Sequence, residues 1–189
     1  PGKYIFYPAM FCPHKNHKYI IDVIKILIDK HKIDISAVFC GADKGLLNDI
    51  KSYVSKKNLT KNIIFLNFVD GKDLPYLYMK SIALTMPTMS GPTNIPPWEA
   101  FKIGTPVIYS DIFNIKDVYG EAVYYINPYE PESMVEAIRK VLLDSTLRKK
   151  LIDNGKQLLD KTDFDSQVKQ IVEVLERNSK IKNIWQFKE

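Results

Sequence analysis

Between residues 91 and 108 the chain runs Gly-Pro-Thr-Asn-Ile-Pro-Pro-Trp-Glu-Ala-Phe-Lys-Ile-Gly-Thr-Pro-Val-Ile: a loop, a proline-opened helix with one carboxylate, a Gly-Thr-Pro turn and a buried strand. Asn94 stands where an N-cap side chain would accept from free backbone N–H groups. Pro96 and Pro97 suit a first helical turn, where a missing N–H costs nothing. Such a helix start turns partial positive charge toward whatever precedes it, and phosphate is a common occupant. Glu99 lies about one turn further in, too deep for the phosphate but able to reach a neighbouring hydroxyl.

A second chemical segment, Pro8-Ala9-Met10-Phe11-Cys12-Pro13-His14-Lys15-Asn16-His17, immediately precedes a helix. A lysine at a helix N-terminus faces the positive end of the dipole, a conflict that a bound anion removes; a solvent-facing Lys15 beside a capping Asn16 is the alternative. His14 either touches a sugar or phosphate or serves local capping and packing. Cys12, His14 and His17 do not match a common zinc spacing and have no fourth ligand nearby, so no metal site is expected. Cys12 has no visible base partner and is expected to be a small, partly buried thiol. Gly41-Ala42-Asp43-Lys44-Gly45 fits neither G-x-G-x-x-G nor a P-loop and is expected to be a tight strand-to-helix turn. Tyr76, Tyr78, Trp98 and Phe101 are expected to lie in the core or an interface.

These segments need a frame. Short apolar runs at 4–7, 37–40, 63–66, 82–86, 107–109 and 123–126 alternate with amphipathic stretches at 18–30, 46–56 and 74–79, and with the helix of the opening motif. Three more helical stretches follow, at 131–143, 147–159 and 167–175. Strands apolar throughout are buried on both faces. The alternation therefore predicts an α/β fold: a doubly wound, Rossmann-like parallel sheet of about six strands, helices on both faces, and C-terminal helical segments. In such a sheet ligands bind beyond the carboxyl ends of the strands. The loops after the first and fourth strands are the ones with unusual chemistry, and the others resemble ordinary connections.

With 189 residues, 46% hydrophobic and 26% charged, the chain has the composition of a soluble domain. Its net charge of +5 is spread over lysines interleaved with acids, which argues against a nucleic-acid groove and suits an anionic small molecule. Two distant cysteines suit free thiols in a reducing cytosol, so a cytoplasmic location is expected. The abrupt start on a strand suggests a domain cut from something longer.

Taken together, Tyr7-Pro8-Ala9, Pro13 to His17, the Gly41 turn, Phe65 to Val69, Gly91 to Ala100, Gly104 to Ile108, Gly120 to Val123 and Asn127-Pro128 carry a resemblance. The chain resembles the C-terminal, donor-binding domain of a GT-B retaining glycosyltransferase of family 4, "group 1". The resemblance implies one nucleotide-sugar-binding domain over 1–189, the C-terminal half of a longer two-domain enzyme, metal-independent and without a cofactor. It implies hexosyl transfer from a nucleotide-diphosphate sugar to a glycan, lipid or other acceptor, as in polysaccharide biosynthesis. The acceptor would sit on a missing N-terminal domain, through which peripheral membrane association could occur, and the isolated domain would be inactive.

Residue by residue, the resemblance places Glu99 at the ribose hydroxyls. It places Thr93, Asn94 and Ile95 at the distal phosphate and sugar, and backbone around Phe68 and Val69 at the base; Pro96 and His14 are further expected substrate contacts. Lys15 is the expected catalytic cation on the diphosphate. Gly91 stands where the family carries a sugar-contacting carboxylate, and Met10 where it carries an arginine. Two rivals remain at this stage: a flavodoxin-like regulatory or interaction domain, and half of a nucleotide-sugar epimerase.

Overall fold

A computed structural model describes residues 2–66, 69–91, 94–162 and 164–185, the side chains of 164–167 and 179–185 excepted. The chain divides into two compact units, Pro1–Leu159 and Asp160–Glu189.

The first unit alternates strand and helix: β1 (Tyr4–Pro8), α1 (His17–Asp29), β2 (Ser36–Cys40), α2 (Leu47–Lys56), β3 (Ile63–Leu66), α3 (Leu74–Lys80), β4 (Leu84–Met86), α4 (Ile95–Ile103), β5 (Val107–Ser110), α5 (Ile115–Tyr119), β6 (Tyr124–Ile126), α6 (Pro131–Leu143) and α7 (Ser145–Lys161). All strand pairs are parallel, in the order β3-β2-β1-β4-β5-β6. Ile5, Phe6, Leu84, Val107 and Ile108 are fully buried, as strands covered on both faces must be. Helix α1 packs on α2 and α6, and α3 on α4. The expected doubly wound sheet is the one observed.

The strand order decides where a ligand can sit. From β1 the chain winds outward through β2 and β3, then returns to the other side of β1 as β4. Phe6 pairs with Val38 on one flank and Leu84 on the other. The crevice where the winding reverses lies between the loops after β1 and β4, the two segments singled out by their chemistry. A flavodoxin-like sheet would reverse elsewhere, with order 2-1-3-4-5.

Two local elements escape the periodicity. Pro13–Lys15 form a 3-10 turn, and α5 is five residues long, with Ile115 and Tyr119 buried one turn apart. Neither is long enough for a hydrophobic period to register. The second unit carries α8 (Phe164–Trp185), longer than the 167–175 stretch that periodicity marks. Its Val168, Ile171, Val172 and Leu175 are exposed.

Candidate functional site

The loops after β1 and β4 are tied together by main chain. Met89 N–H donates to the His14 carbonyl at 2.8 Å, and the buried Thr88 hydroxyl lies 3.3 Å from the same oxygen. The Tyr7 hydroxyl, fully buried in β1, donates to the Lys15 carbonyl at 2.6 Å. These bonds fix the 3-10 turn, which buries the Lys15 stem and carries its ammonium across to the start of α4, where Nζ donates to Asn94 Oδ1 at 2.7 Å. No carboxylate among the described residues pairs with Lys15; its partner is a neutral amide. Burial lowers the Lys15 pKa, and only the Cys12 thiol opposes it. The result is a partly desolvated cation at the crevice, with no anionic partner among the described residues.

Asn94 occupies the N-cap position of α4 with extended backbone, but its side chain caps nothing, contrary to expectation. The reason is local chemistry. An N-cap oxygen accepts from the N–H of the second or third helical residue. Here those are Pro96 and Pro97, which have none. The amide oxygen is free for Lys15, and the amide nitrogen donates to the Gly91 carbonyl at 2.7 Å and to the Tyr109 hydroxyl. The same prolines thin the row of free N–H donors expected at this helix start. Ile95 keeps its N–H at the first helical position, and Lys15 supplies the remaining positive charge.

Beside Lys15, the side chain of His17 is turned away from the crevice. Its ring lies among Tyr7, Phe11 and Phe39, with centroids 4.9, 4.8 and 5.1 Å away, and is 2% exposed. Neither ring nitrogen has a hydrogen-bond partner. Burial drives its pKa down to about 4; the nearby Ala9 carbonyl opposes this without reaching bonding geometry, and Lys15 reinforces it. His14, by contrast, is exposed, with its ring 3.6 Å from Cys12 Sγ.

A cavity of about 520 Å³ opens beside the crevice, at the carboxyl ends of β1, β2 and β3. Ala9, Met10, Gly41, Asp43, Val69 and Leu74 are among its walls. The connections after β2 and β3, which resembled ordinary turns in sequence, are therefore cavity walls. Gly41 is required by packing: a Cβ there would lie 2.3 Å from the Ala9 carbonyl oxygen. Asp43 caps α2 by accepting from the N–H groups of Gly45, Leu46 and Leu47 at 2.7, 3.0 and 3.1 Å.

Glu99, half-buried on α4, accepts from the Tyr78 hydroxyl through Oε2 at 2.5 Å. Tyr78 is fully buried on α3, edge-on to Phe6 at 4.9 Å. Burial first, then the Glu99 carboxylate, push its pKa far up, so it stays a donor. Its field also includes Cys40, a wall of the cavity. Glu99 is thus oriented from behind, with its second oxygen unengaged among the described residues.

The structure brings Lys15, Asn94 and Gly91 into one hydrogen-bonded group, and puts Val69 in the cavity wall. Ile95 is 73% exposed and Pro96 half-buried at the start of α4. Phe68 and Thr93 lie outside the described residues. The supporting role of the tyrosines was missed. Tyr7, Tyr78, Tyr109 and Tyr119 all aim hydroxyls at the loops or at Glu99; Tyr78 is expected from sequence only as core or interface, and nothing in the neighbouring sequence marks the other hydroxyls.

The chain belongs to the glycosyl transferases group 1 family, whose profile matches residues 1–158. It is 31% identical over 129 residues to the O-antigen chain mannosyltransferase RfbU of Salmonella typhimurium, covering 68% of this chain and 35% of that protein. It is 24% identical over 175 residues to an uncharacterized glycosyltransferase of Methanocaldococcus jannaschii, covering 91% of this chain and 44% of the relative. The chain therefore spans less than half the length of the curated relatives it matches. Among solved structures, HepE of Anabaena in complex with UDP and glucose superposes with a TM-score of 0.79 at 16% identity, over 93% of this chain and 48% of that one. The C-terminal domain of LpcC from Francisella tularensis does so at 0.72 and 22%, over 86% and 87%. The family match sets aside the regulatory-domain and epimerase readings.

Proposed function

We propose that this chain is the donor-binding half of a two-domain, retaining glycosyltransferase of the GT-B type, family 4, and that it holds the nucleoside diphosphate of a sugar donor in the β1/β4 crevice. The observation that carries this reading is Lys15: a partly buried ammonium with no carboxylate partner among the described residues, held at a helix start where the sheet reverses. The diphosphate takes the place of the missing anion. Departure of the diphosphate builds charge on its distal phosphate, which Lys15 and the positive end of α4 stabilise more in the transition state than in the ground state. The nucleoside fills the cavity walled by Met10, Gly41 and Val69, with ribose hydroxyls donating to Glu99. The chemistry assigned to these groups needs no metal. The relatives named as mannosyltransferases support a hexosyl donor, and the complexes of HepE with UDP and UDP-glucose make UDP the first probe.

The test is calorimetry and thermal shift with UDP, GDP and ADP, each with EDTA and with Mg²⁺. A nucleoside diphosphate should bind in EDTA, and ligand at a hundredfold Kd should stabilise the fold by about 2.7 kcal/mol. Failure of all three at millimolar concentration, or binding only with Mg²⁺, refutes the reading.

A further inference from the structure

Lys15 does not reach its position alone. Its amide partner Asn94 could in principle turn either end toward it, and only one end accepts a proton. The neighbours decide which. Lysine only donates and the Gly91 carbonyl only accepts, so Oδ1 must face Lys15 and Nδ2 must face Gly91. Tyr109 completes the assignment. Its hydroxyl receives a bond from Asn94 Nδ2 and lies 3.2 Å from the Gly91 carbonyl, to which it donates. Both Asn94 amide protons and the Tyr109 hydroxyl proton meet acceptors, and the Asn94 oxygen accepts from Lys15.

Tyr109 is itself held by packing. It stands in β5, fully buried, paired in register with Met86 and Tyr125, its ring 5.2 Å from Tyr119. Tyr119, on α5, donates to the Asn94 backbone carbonyl at 3.2 Å. Strand β5 thus grips Asn94 at its side chain and helix α5 at its main chain, while Lys15 comes from a loop 79 residues upstream.

We propose that Tyr109 is a positioning residue for Lys15: its buried hydroxyl locks the Asn94 amide, and the locked amide oxygen holds the ammonium in the crevice. Tyr109 touches no substrate. Its part in diphosphate binding rests on the function proposed above, but its effect on Lys15 is a property of the protein without ligand. The two can be measured separately.

Tyr109→Phe keeps the ring and removes only the hydroxyl. The first measurement is competitive acetylation of Lys15 by acetic anhydride, followed by mass spectrometry between pH 7 and 11. An accepting oxygen favours the charged ammonium. Loss of the lock should therefore speed Lys15 labelling at pH 8.5 by roughly three- to tenfold. Tyr125→Phe, which removes a hydroxyl bonded to the Gly120 carbonyl and to no other described residue, should leave Lys15 labelling at the wild-type rate. The second measurement is calorimetry with UDP and uridine. Tyr109→Phe should weaken UDP about five- to tenfold and uridine hardly at all, and in a Lys15→Met background it should cost UDP nothing further. Unchanged Lys15 labelling overturns the proposal. So does an equal loss for UDP and uridine, which is the mark of general loosening. If the labelling changes as expected but neither UDP nor GDP binds the wild-type chain, the lock stands and the proposed function falls.

Discussion

Lowering the pH should destabilise this protein through His17. The ring is neutral in the native state because it is walled by Tyr7, Phe11 and Phe39, with the Lys15 ammonium nearby; its pKa falls from 6.5 to about 4. In the unfolded chain it titrates near its ordinary value. Between those two values the unfolded state holds a proton that the native state refuses, so stability falls as pH falls. Above 6.5 both states are neutral and the cost is nil; below about 4 both are protonated and it levels off. For one group the loss comes to about 1.4 kcal/mol at pH 5.5 and about 2 kcal/mol at pH 5, approaching about 3 kcal/mol near pH 4. The assay is urea unfolding of wild type and His17→Phe at half-unit steps from pH 8 to 4. Because both ring nitrogens lack partners, the substitution leaves no donor or acceptor stranded. Whatever overpacking cost separates the pair at pH 8, about 1–3 kcal/mol or less, the difference should move by about 2 kcal/mol in the variant's favour by pH 5. Taking the difference between the two proteins cancels the carboxylates, which titrate in both. Parallel stability curves over the whole range would show that His17 does not resist protonation, and the account of its burial would be wrong.

Four further outcomes are expected. Measured against Lys15→Met, ligand-free wild type should gain stability as pH rises toward 10.5, because its folded Lys15 pKa is lowered; the same variant should weaken a nucleoside diphosphate by about tenfold or more but leave the nucleoside unaffected. Glu99→Gln retains an acceptor for Tyr78 yet loses the charge, so calorimetry should show uridine weakened by roughly 1–3 kcal/mol and 2′-deoxyuridine much less affected. Gly41→Ala drives a methyl against the Ala9 carbonyl, which is backbone and cannot swing aside, so about 1–3 kcal/mol should be lost in urea unfolding and nucleoside affinity should drop with it. Gly155→Ala would normally strengthen a helix, but its Cβ would stand 2.4 Å from the buried Phe101 ring, so α7 should move off α4 and the melting temperature should fall.

The sheet was legible because its signal is local and repeated: strands such as Tyr4–Pro8 and Val107–Ser110 are apolar throughout, and amphipathic helices fall between them. The location of the crevice was legible for the same reason, since order and alternation imply a parallel sheet and its ligand edge. Short elements were not. Five residues of α5 bury one pair, Ile115 and Tyr119, a single turn apart, and one turn is too short to show a period. Cavity walls were also hidden. Gly41 and Val69 become neighbours only when β2 and β3 lie side by side, and nothing within either loop announces that.

Asn94 shows where the boundary between the two kinds of information falls. Its residue type and the prolines after it were both in view, and together they already forbid the ordinary N-cap bond, because the two positions that would donate have no N–H. The sequence therefore says that this amide oxygen must find a donor elsewhere. It does not say which, because donors that could reach it are brought there by the sheet. Once β1 and β4 are adjacent, the loop after β1 supplies Lys15, and the donor-only ammonium and the acceptor-only Gly91 carbonyl leave the amide one orientation. Proline at the helix start thus has a consequence beyond a rigid first turn. By withholding two backbone donors it releases a side-chain oxygen for a cation 79 residues away, and so couples the two loops that face the crevice.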